Sequence, residues 1–311
     1  MKGYKGFNKD FTCLEKQYEE NTDYEENGDG ICRQGVMHFC KNPWDVLNYY
    51  PLIDDNGNFS EFAEVEADGN IFEKENKCAA TKLHIGAKLG LKGFIKACVN
   101  FTLEKTKYNA DSKEDLLNDN ECDYAQIGSS GDSAKIGSSG DYAQIGSSGD
   151  SAKIGSSGDY AKIGSSGYYA QIGSSGDYAQ IGSSGDYAKI GSSGDSAKIG
   201  SSGDYAQIGS SGDSAKIGSS GDSAKIGSSG DYAKIVSEGK NSVVMAAGYN
   251  SIAKAKVGSW ITLAEWVQTN ERYKNGNLIW IPKLVKTEYV DGERIKEDAF
   301  YKLKNGEFKE V

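Results

Sequence analysis

Asp159-Tyr160-Ala161-Lys162-Ile163-Gly164-Ser165-Ser166-Gly167 is one copy of a nine-residue unit that fills the middle of the chain. Thirteen copies occupy residues 123–239, with isoleucine in unbroken register from Ile127 and Ile136 to Ile235. A short fixed period of this fidelity marks a solenoid, in which each repeat buries its apolar face only against its neighbours. A Gly/Ser linker would have no reason to hold one Ala and one Ile in strict register. Ala and Ile stand two residues apart, the period of a β-strand. Ala125 and Ile127 are therefore expected to point inward, and Tyr124 and Gln126 outward. Gly-Ser-Ser-Gly is expected to turn the corner, with glycine supplying positive φ.

Nine residues are too few to close a coil comfortably. Two units give an 18-residue, two-sided coil, and three give a triangular one. Matching of Tyr/Ser and Lys/Gln identities at these two lags does not decide. Small inward residues suit a thin core, so two units per coil are expected, stacked about 4.8 Å apart. The fold class read from the sequence is thus mainly β. A β-solenoid, or β-roll, of nonapeptide repeats runs over 123–258, after an α/β N-terminal domain with linker (1–122) and before an antiparallel β cap (259–311).

The flanks support that division. Asn42-Pro43 before Trp44–Tyr50 predicts an N-cap, a proline at the first helical position and a short helix ended by Pro51. Phe62–Glu66 alternates as a strand, with a turn expected at Asp68-Gly69. Leu91–Lys105 reads as a helix or a buried strand, and 107–121 as a polar linker. After Ile235 the repeat decays through Val236–Val244 and Gly248–Ala253 to Trp260–Trp266. Asn275-Gly276, Asp291-Gly292 and Asn305-Gly306 are hairpin signals.

The formal charge is −10 and the pI about 4.9. Residues 1–122 carry 15 Lys/Arg against 23 Asp/Glu, residues 123–239 carry 8 against 13, and residues 240–311 carry 12 against 9. That balance argues against direct nucleic-acid or membrane-surface binding. No apolar run is long enough to span a bilayer. All six cysteines (Cys13, Cys32, Cys40, Cys78, Cys98, Cys122) precede the repeats. With no export signal evident, reduced thiols in a bacterial cytoplasm are expected.

Gly35–Tyr50, Phe7 and Phe62–Glu66, together with Val290–Lys296 and Tyr301–Phe308 near the C-terminus, resemble an uncharacterised family met in phages and gut-type bacteria. Its members place a solenoid of short Ser/Gly/Ala repeats after such a domain. The resemblance implies an architecture and no activity. The stretch Asn241–Ala255 is similar to the β-roll of trimeric autotransporter heads. The N-terminal domain also resembles a mono-ADP-ribosyltransferase core, with Tyr4–Phe7 as first strand and Gly35–Tyr50 as the strand and helix under the nicotinamide. Lys5 stands where that fold uses Arg or His, and no catalytic Glu can be placed. The resemblance therefore implies a degenerate domain.

No catalytic residue, metal ligand or cofactor is assigned. Cys32, His38 and Cys40 with Cys13 or Cys78 lack the tight pairs of a zinc site. His84 reads as structural. Asp opens every unit but one, where Tyr168 replaces it. Stacked carboxylates about 4.8 Å apart repel by about 0.9 kcal/mol in water, which backbone N–H groups, lysines or a cation could offset. The unit departs from the calcium-binding nonapeptide at two glycines. Its bulky, charged outward residues do not form an ice-binding array.

The candidate binding residues are the columns Asp123, Asp141, Asp159, Asp177, Asp195 and Asp213, Tyr124, Tyr142, Tyr160 and Tyr178, and Tyr169, Tyr187 and Tyr205. The expected function is a non-enzymatic binding or scaffold protein that shows Asp, Lys/Gln and Tyr columns to a macromolecular partner. One version is a phage-encoded inhibitor of host defence, acidic enough to imitate DNA toward a basic or nucleic-acid-binding host protein. Two alternatives are an NAD-binding or ADP-ribosyl-transferring N-terminal domain, and a homo-oligomer or fibre assembled through tyrosine columns.

Overall fold

A computed structural model describes residues 1–31, 35–106, 123–272 and 276–311. The expected linker 107–121, Cys32, Cys122 and Asn275 lie outside the described residues. The N-terminal part contains β1 (Lys2–Phe7), β2 (Thr12–Cys13), β3 (Lys16–Gln17), β4 (Thr22–Glu25), β5 (Met37–Phe39), α1 (Pro43–Val46), β6 (Glu61–Lys74), β7 (Lys77–Lys88) and α2 (Gly90–Lys105). A sheet in the order β1-β6-β7-β4, with β5 also on β7, is antiparallel throughout. Asn42 caps α1 as its sequence predicts, its side chain accepting from the Trp44 N–H at 3.0 Å. Leu91–Lys105 is helical. Asp68-Gly69 does not turn the chain: β6 runs through it with a register shift, Gly69 at φ +72°, and the hairpin turns at Glu75-Asn76.

Fifteen four-residue strands, β8 (Gln126–Ser129) to β22 (Ile252–Ala255), make the rod. From β8 to β20 each pairs in parallel with the strand 18 residues on, Ile145 with Ile163 and Ile154 with Ile172. The coil is therefore two-sided, two nonapeptides to a turn. One sheet contains β8 and every second strand to β22, the other the strands between. Every Ala from Ala143 to Ala233 is fully buried, and the Ile rows of both sheets meet in one core.

The corner differs from the expectation. The strand continues through Gly and the first Ser, so Ser147, Ser165 and Ser183 also point inward. Positive φ falls on the residue after Asp, Tyr124 (61°), Ser133 (60°), Tyr142 (57°) and onward, and on no repeat glycine. The corner glycine is required for a different reason. A Cβ at Gly149 would overlap the Gly131 carbonyl oxygen of the coil before, and the same overlap recurs up to Gly248. Coils stack too closely there for any side chain.

Past the repeats, β23 (Trp260–Arg272) begins as a parallel strand on Val243–Ala246, so the ladder reaches Leu263, beyond the expected boundary at 258. It then leaves as a long hairpin with β24 (Leu278–Tyr289). Asp291-Gly292 is not a hairpin turn: Asp291 Oδ1 accepts the N–H groups of Glu293, Arg294 and Ile295, holding a loop that crosses to the other sheet. There β25 (Tyr301–Lys304) and β26 (Glu307–Glu310) form a hairpin with Asn305 and Gly306 both at positive φ, as the dipeptide predicts. Val290, Ile295, Tyr301 and Leu303 close the end of the core.

Candidate functional site

The expected binding columns are present as columns, and each has a structural use. Asp141 N–H donates to Asp123 Oδ1 at 3.0 Å, Asp159 to Asp141 at 2.8 Å, and the series continues to Tyr249 on Asp231. One oxygen of each carboxylate thus ties its coil to the next, while the Asp main-chain carbonyl takes the N–H of the Tyr or Ser of the coil below. This is how the lattice tolerates its like charges. Tyr124, Tyr142, Tyr160 and Tyr178 stack at 4.9 Å with planes within 6°. Tyr169, Tyr187 and Tyr205 form the second stack. Their faces are used on one another, and edges with hydroxyls face solvent. Stacking offsets the cost of holding a bulky residue at positive φ.

The two long faces of the rod are the more informative pair. Outward on each strand stand Lys or Gln, then Gly. On the sheet containing β8, the N-terminal domain lies over the Gly row. Leu91 sits over Gly200, Ile95 over Gly182, Val99 over Gly164 and Gly146, and Leu103 over Gly128. Trp44 closes on Gly164, and Phe59 and Ile53 close on Gly218. The Lys/Gln row beside it hydrogen-bonds to that domain, mostly as donor. Lys162 Nζ donates to Trp44 O at 2.8 Å and Asn48 Oδ1 at 2.7 Å, and Gln180 Nε2 to Leu47 O at 3.3 Å. Gln144 Oε1 accepts from Asn42 at 3.1 Å, Lys216 pairs with Asp55, and Lys234 Nζ donates to Asp55 O at 2.8 Å. Burial holds the Lys162 amine below the usual lysine range, Asp45 opposing it. Gly57 reaches Phe300 of the C-terminal loop, so the domain braces the rod along its length.

On the opposite sheet no described residue covers the Gly row from Gly155 to Gly209. A Cβ at Gly155, Gly173, Gly191 or Gly209 would meet no atom within 4 Å. The row forms the floor of a shallow groove of about 850 Å³, bordered by Lys135, Lys153, Gln171, Lys189, Gln207 and Lys225. The side-chain amines of Lys153, Lys189 and Lys225 make no ion pair or hydrogen bond among the described residues.

A second concavity, about 410 Å³, opens in the N-terminal domain between Lys5, Cys13, His38, Asn48, Tyr49, Tyr50 and Lys77. Lys5 is buried and donates to His38 O at 2.9 Å and Cys13 Sγ at 3.3 Å, 5.1 Å from the Tyr18 ring centre. Desolvation holds its amine below the usual lysine range, and no carboxylate pairs with it among the described residues. Lys5 and residues of the His38–Tyr50 stretch wall this one pocket. His38 Nε2 is bonded to Ile31 O, and burial lowers its basicity. Burial pushes the Cys40 thiol up to about 12 and Cys98 well above its ordinary value, so both are packed, protonated thiols. Among the described residues no His/Cys/Asp/Glu cluster could hold a metal ion, and His84 pairs with Asp23 at 2.7 Å.

Residues 1–97 match a family described as a domain of unknown function (DUF7666). The match covers the sheet, α1 and the first half of α2, and stops before the rod. No curated protein and no solved structure matches the chain. Among the described residues, no helix is long and apolar enough to cross a membrane.

The sequence reading chose the corner columns and missed the open Gly groove. The signal was there. The outward Gly tolerates Val236, Met245 and Lys254 where the corner Gly is invariant through Gly248, so the two glycines serve different ends.

Proposed function

We propose that the protein is a non-enzymatic binding scaffold, a rod braced along one face by its own N-terminal domain and offering the other face to a macromolecular partner. One observation carries this reading. The open groove is built from the same Lys/Gln and Gly rows that hold the N-terminal domain on the covered face. The phage-encoded, DNA-imitating version draws less support from the geometry, because one oxygen of nearly every column Asp is already spent between coils. The test is affinity capture from bacterial lysate with the full chain and with Lys153→Glu/Lys189→Glu/Lys225→Glu. A protein held by the parent and lost by the triple variant is expected, and identical capture by both overturns the reading.

A second reading concerns the pocket alone. A buried amine with no carboxylate beside it in a 410 Å³ concavity suits a small anion, a dinucleotide among them. Calorimetric titration of the full chain with NAD is the check, and absence of heat at millimolar ligand ends the dinucleotide version.

A further inference from the structure

Resting on the scaffold reading, we propose that the open face receives an amphipathic α-helix of a partner protein, laid along the Gly row with carboxylates or amides against the Lys row. The molecule carries its own precedent. On the covered face α2 lies lengthwise on the equivalent row, through Leu91, Ile95, Val99, Thr102 and Leu103, residues that recur along one side of a helix. Glycine makes this possible, because no Cβ stands between helix and sheet. The adjacent row there reaches acceptor oxygens, Asn48 Oδ1 and the Asp55 carboxylate among them.

The open face repeats each feature. From Gly155 to Gly227 the floor crosses four coil steps, about 19 Å at a 4.8 Å spacing. At 1.5 Å per residue that length takes about 13 helical residues, the span from Leu91 to Leu103 that lies over the covered row. The amines of Lys153, Lys189 and Lys225 lack partners among the described residues, so the flanking row favours acidic residues on the incoming helix. The groove also has an end. Met245 takes the floor position after Gly227, and Val243 and Trp260 continue the Lys row, all three exposed. The helix end seated there should carry a large apolar side chain. Two copies of the rod meeting open face to open face would bring flat strands together and leave both floors unfilled. A cylinder fills the floor.

The probe is a labelled, stapled 16-residue peptide with the sequence of α2 carrying Lys92→Glu, Lys96→Glu and Cys98→Ser, titrated into the full chain. Saturable binding is expected at roughly micromolar Kd. Gly173→Leu/Gly191→Leu, which fills the floor from positions where a Cβ meets no atom within 4 Å, should weaken it by at least about tenfold at unchanged Tm. Added salt should weaken it further. No saturable binding, or binding indifferent to the leucines, overturns the helix. If lysate capture still depends on the open-face lysines, the scaffold survives that failure. If capture is indifferent too, both fall. Self-association of the parent in sedimentation velocity that the leucines abolish assigns the face to a second copy and also overturns the proposal.

Discussion

The two faces of the rod share one nine-residue unit, and their outward rows differ only in how Lys and Gln alternate. Yet one face is buried under helix, tryptophan and phenylalanine side chains while the other is, from Gly155 to Gly209, covered by no described residue. Lys162 is buried and donates twice, whereas Lys153, half a coil away, is exposed. The difference comes from what lies against the repeat, since a unit reading Lys-Ile-Gly-Ser makes a docking surface wherever it is stacked. The chain covers one such surface itself. Equivalent substitutions on the two faces therefore separate the intrinsic needs of the coil from those of docking.

The largest contrast is expected at the outward glycines. A Cβ at Gly218 would stand 2.5 Å from Phe59 Cζ and 2.7 Å from Ile53 Cδ1. Gly218→Val must push the N-terminal domain off the rod or force those side chains from their rotamers, at a cost of about 1–3 kcal/mol. Gly209→Val, one strand earlier on the open face, meets nothing within 4 Å. It exchanges a poor strand former for a good one and should be neutral or slightly stabilising. Thermal melts of the two variants decide. Equal destabilisation would mean that the outward glycine serves the coil itself, and the comparison would fail.

The next contrast lies in the flanking row. Lys162→Met leaves the Trp44 carbonyl and Asn48 amide oxygen without their donor and should cost about 1–2 kcal/mol. Lys153→Met should change stability by less than about 0.5 kcal/mol. The pair also differs in pH dependence. Burial holds the folded amine of Lys162 below its ordinary 10.5. Between that depressed value and 10.5 the unfolded chain binds the proton that the folded one has released, so stability rises with pH across the window. Urea melts from neutral pH to about pH 10 should show a steeper rise in the parent than in Lys162→Met. Parallel curves would mean that Lys162 keeps its proton through contacts stronger than its desolvation.

The coil was legible because its signals are local and repeated. Ile at every ninth position and Ala two before it dictate inward rows, and small inward residues dictate a flat coil. The caps were legible where a turn dipeptide acts alone, as at Asn305-Gly306, and misread where tertiary contacts override it, as at Asp68-Gly69 and Asp291-Gly292. The corner was misread because glycine was credited with positive φ when its use is close approach. Asn241 and Asn250, which replace Tyr/Ser in the degenerate coils, marked the left-handed position, since Asn adopts it more readily than most residues. The candidate groove could not be read from one repeat at all. Coverage of one face depends on contacts more than a hundred residues apart, such as Lys162 with Trp44.

The smallest effect tests whether the two faces share one core. The first Ser of each unit points inward, and the hydroxyls of Ser183, on the covered sheet, and Ser192, on the open sheet, have no hydrogen-bond partner among the described residues. A buried hydroxyl without a bond costs about 1–3 kcal/mol, against which its removal sets only the loss of one atom's packing. The chain itself shows that the position accepts Ala: the row continues from Ser228 to Ala246 on one sheet and from Ser237 to Ala255 on the other. Ser183→Ala and Ser192→Ala should therefore each stabilise, by about 0.5–1 kcal/mol, or roughly 1–4 °C in Tm. The two gains should agree, because an inward side chain does not sense what lies outside its sheet. A gain on the open sheet with a loss on the covered one would show that the N-terminal domain reshapes the interior as well as the surface. The faces would then differ through and through, and the open groove would no longer be a copy of the covered one.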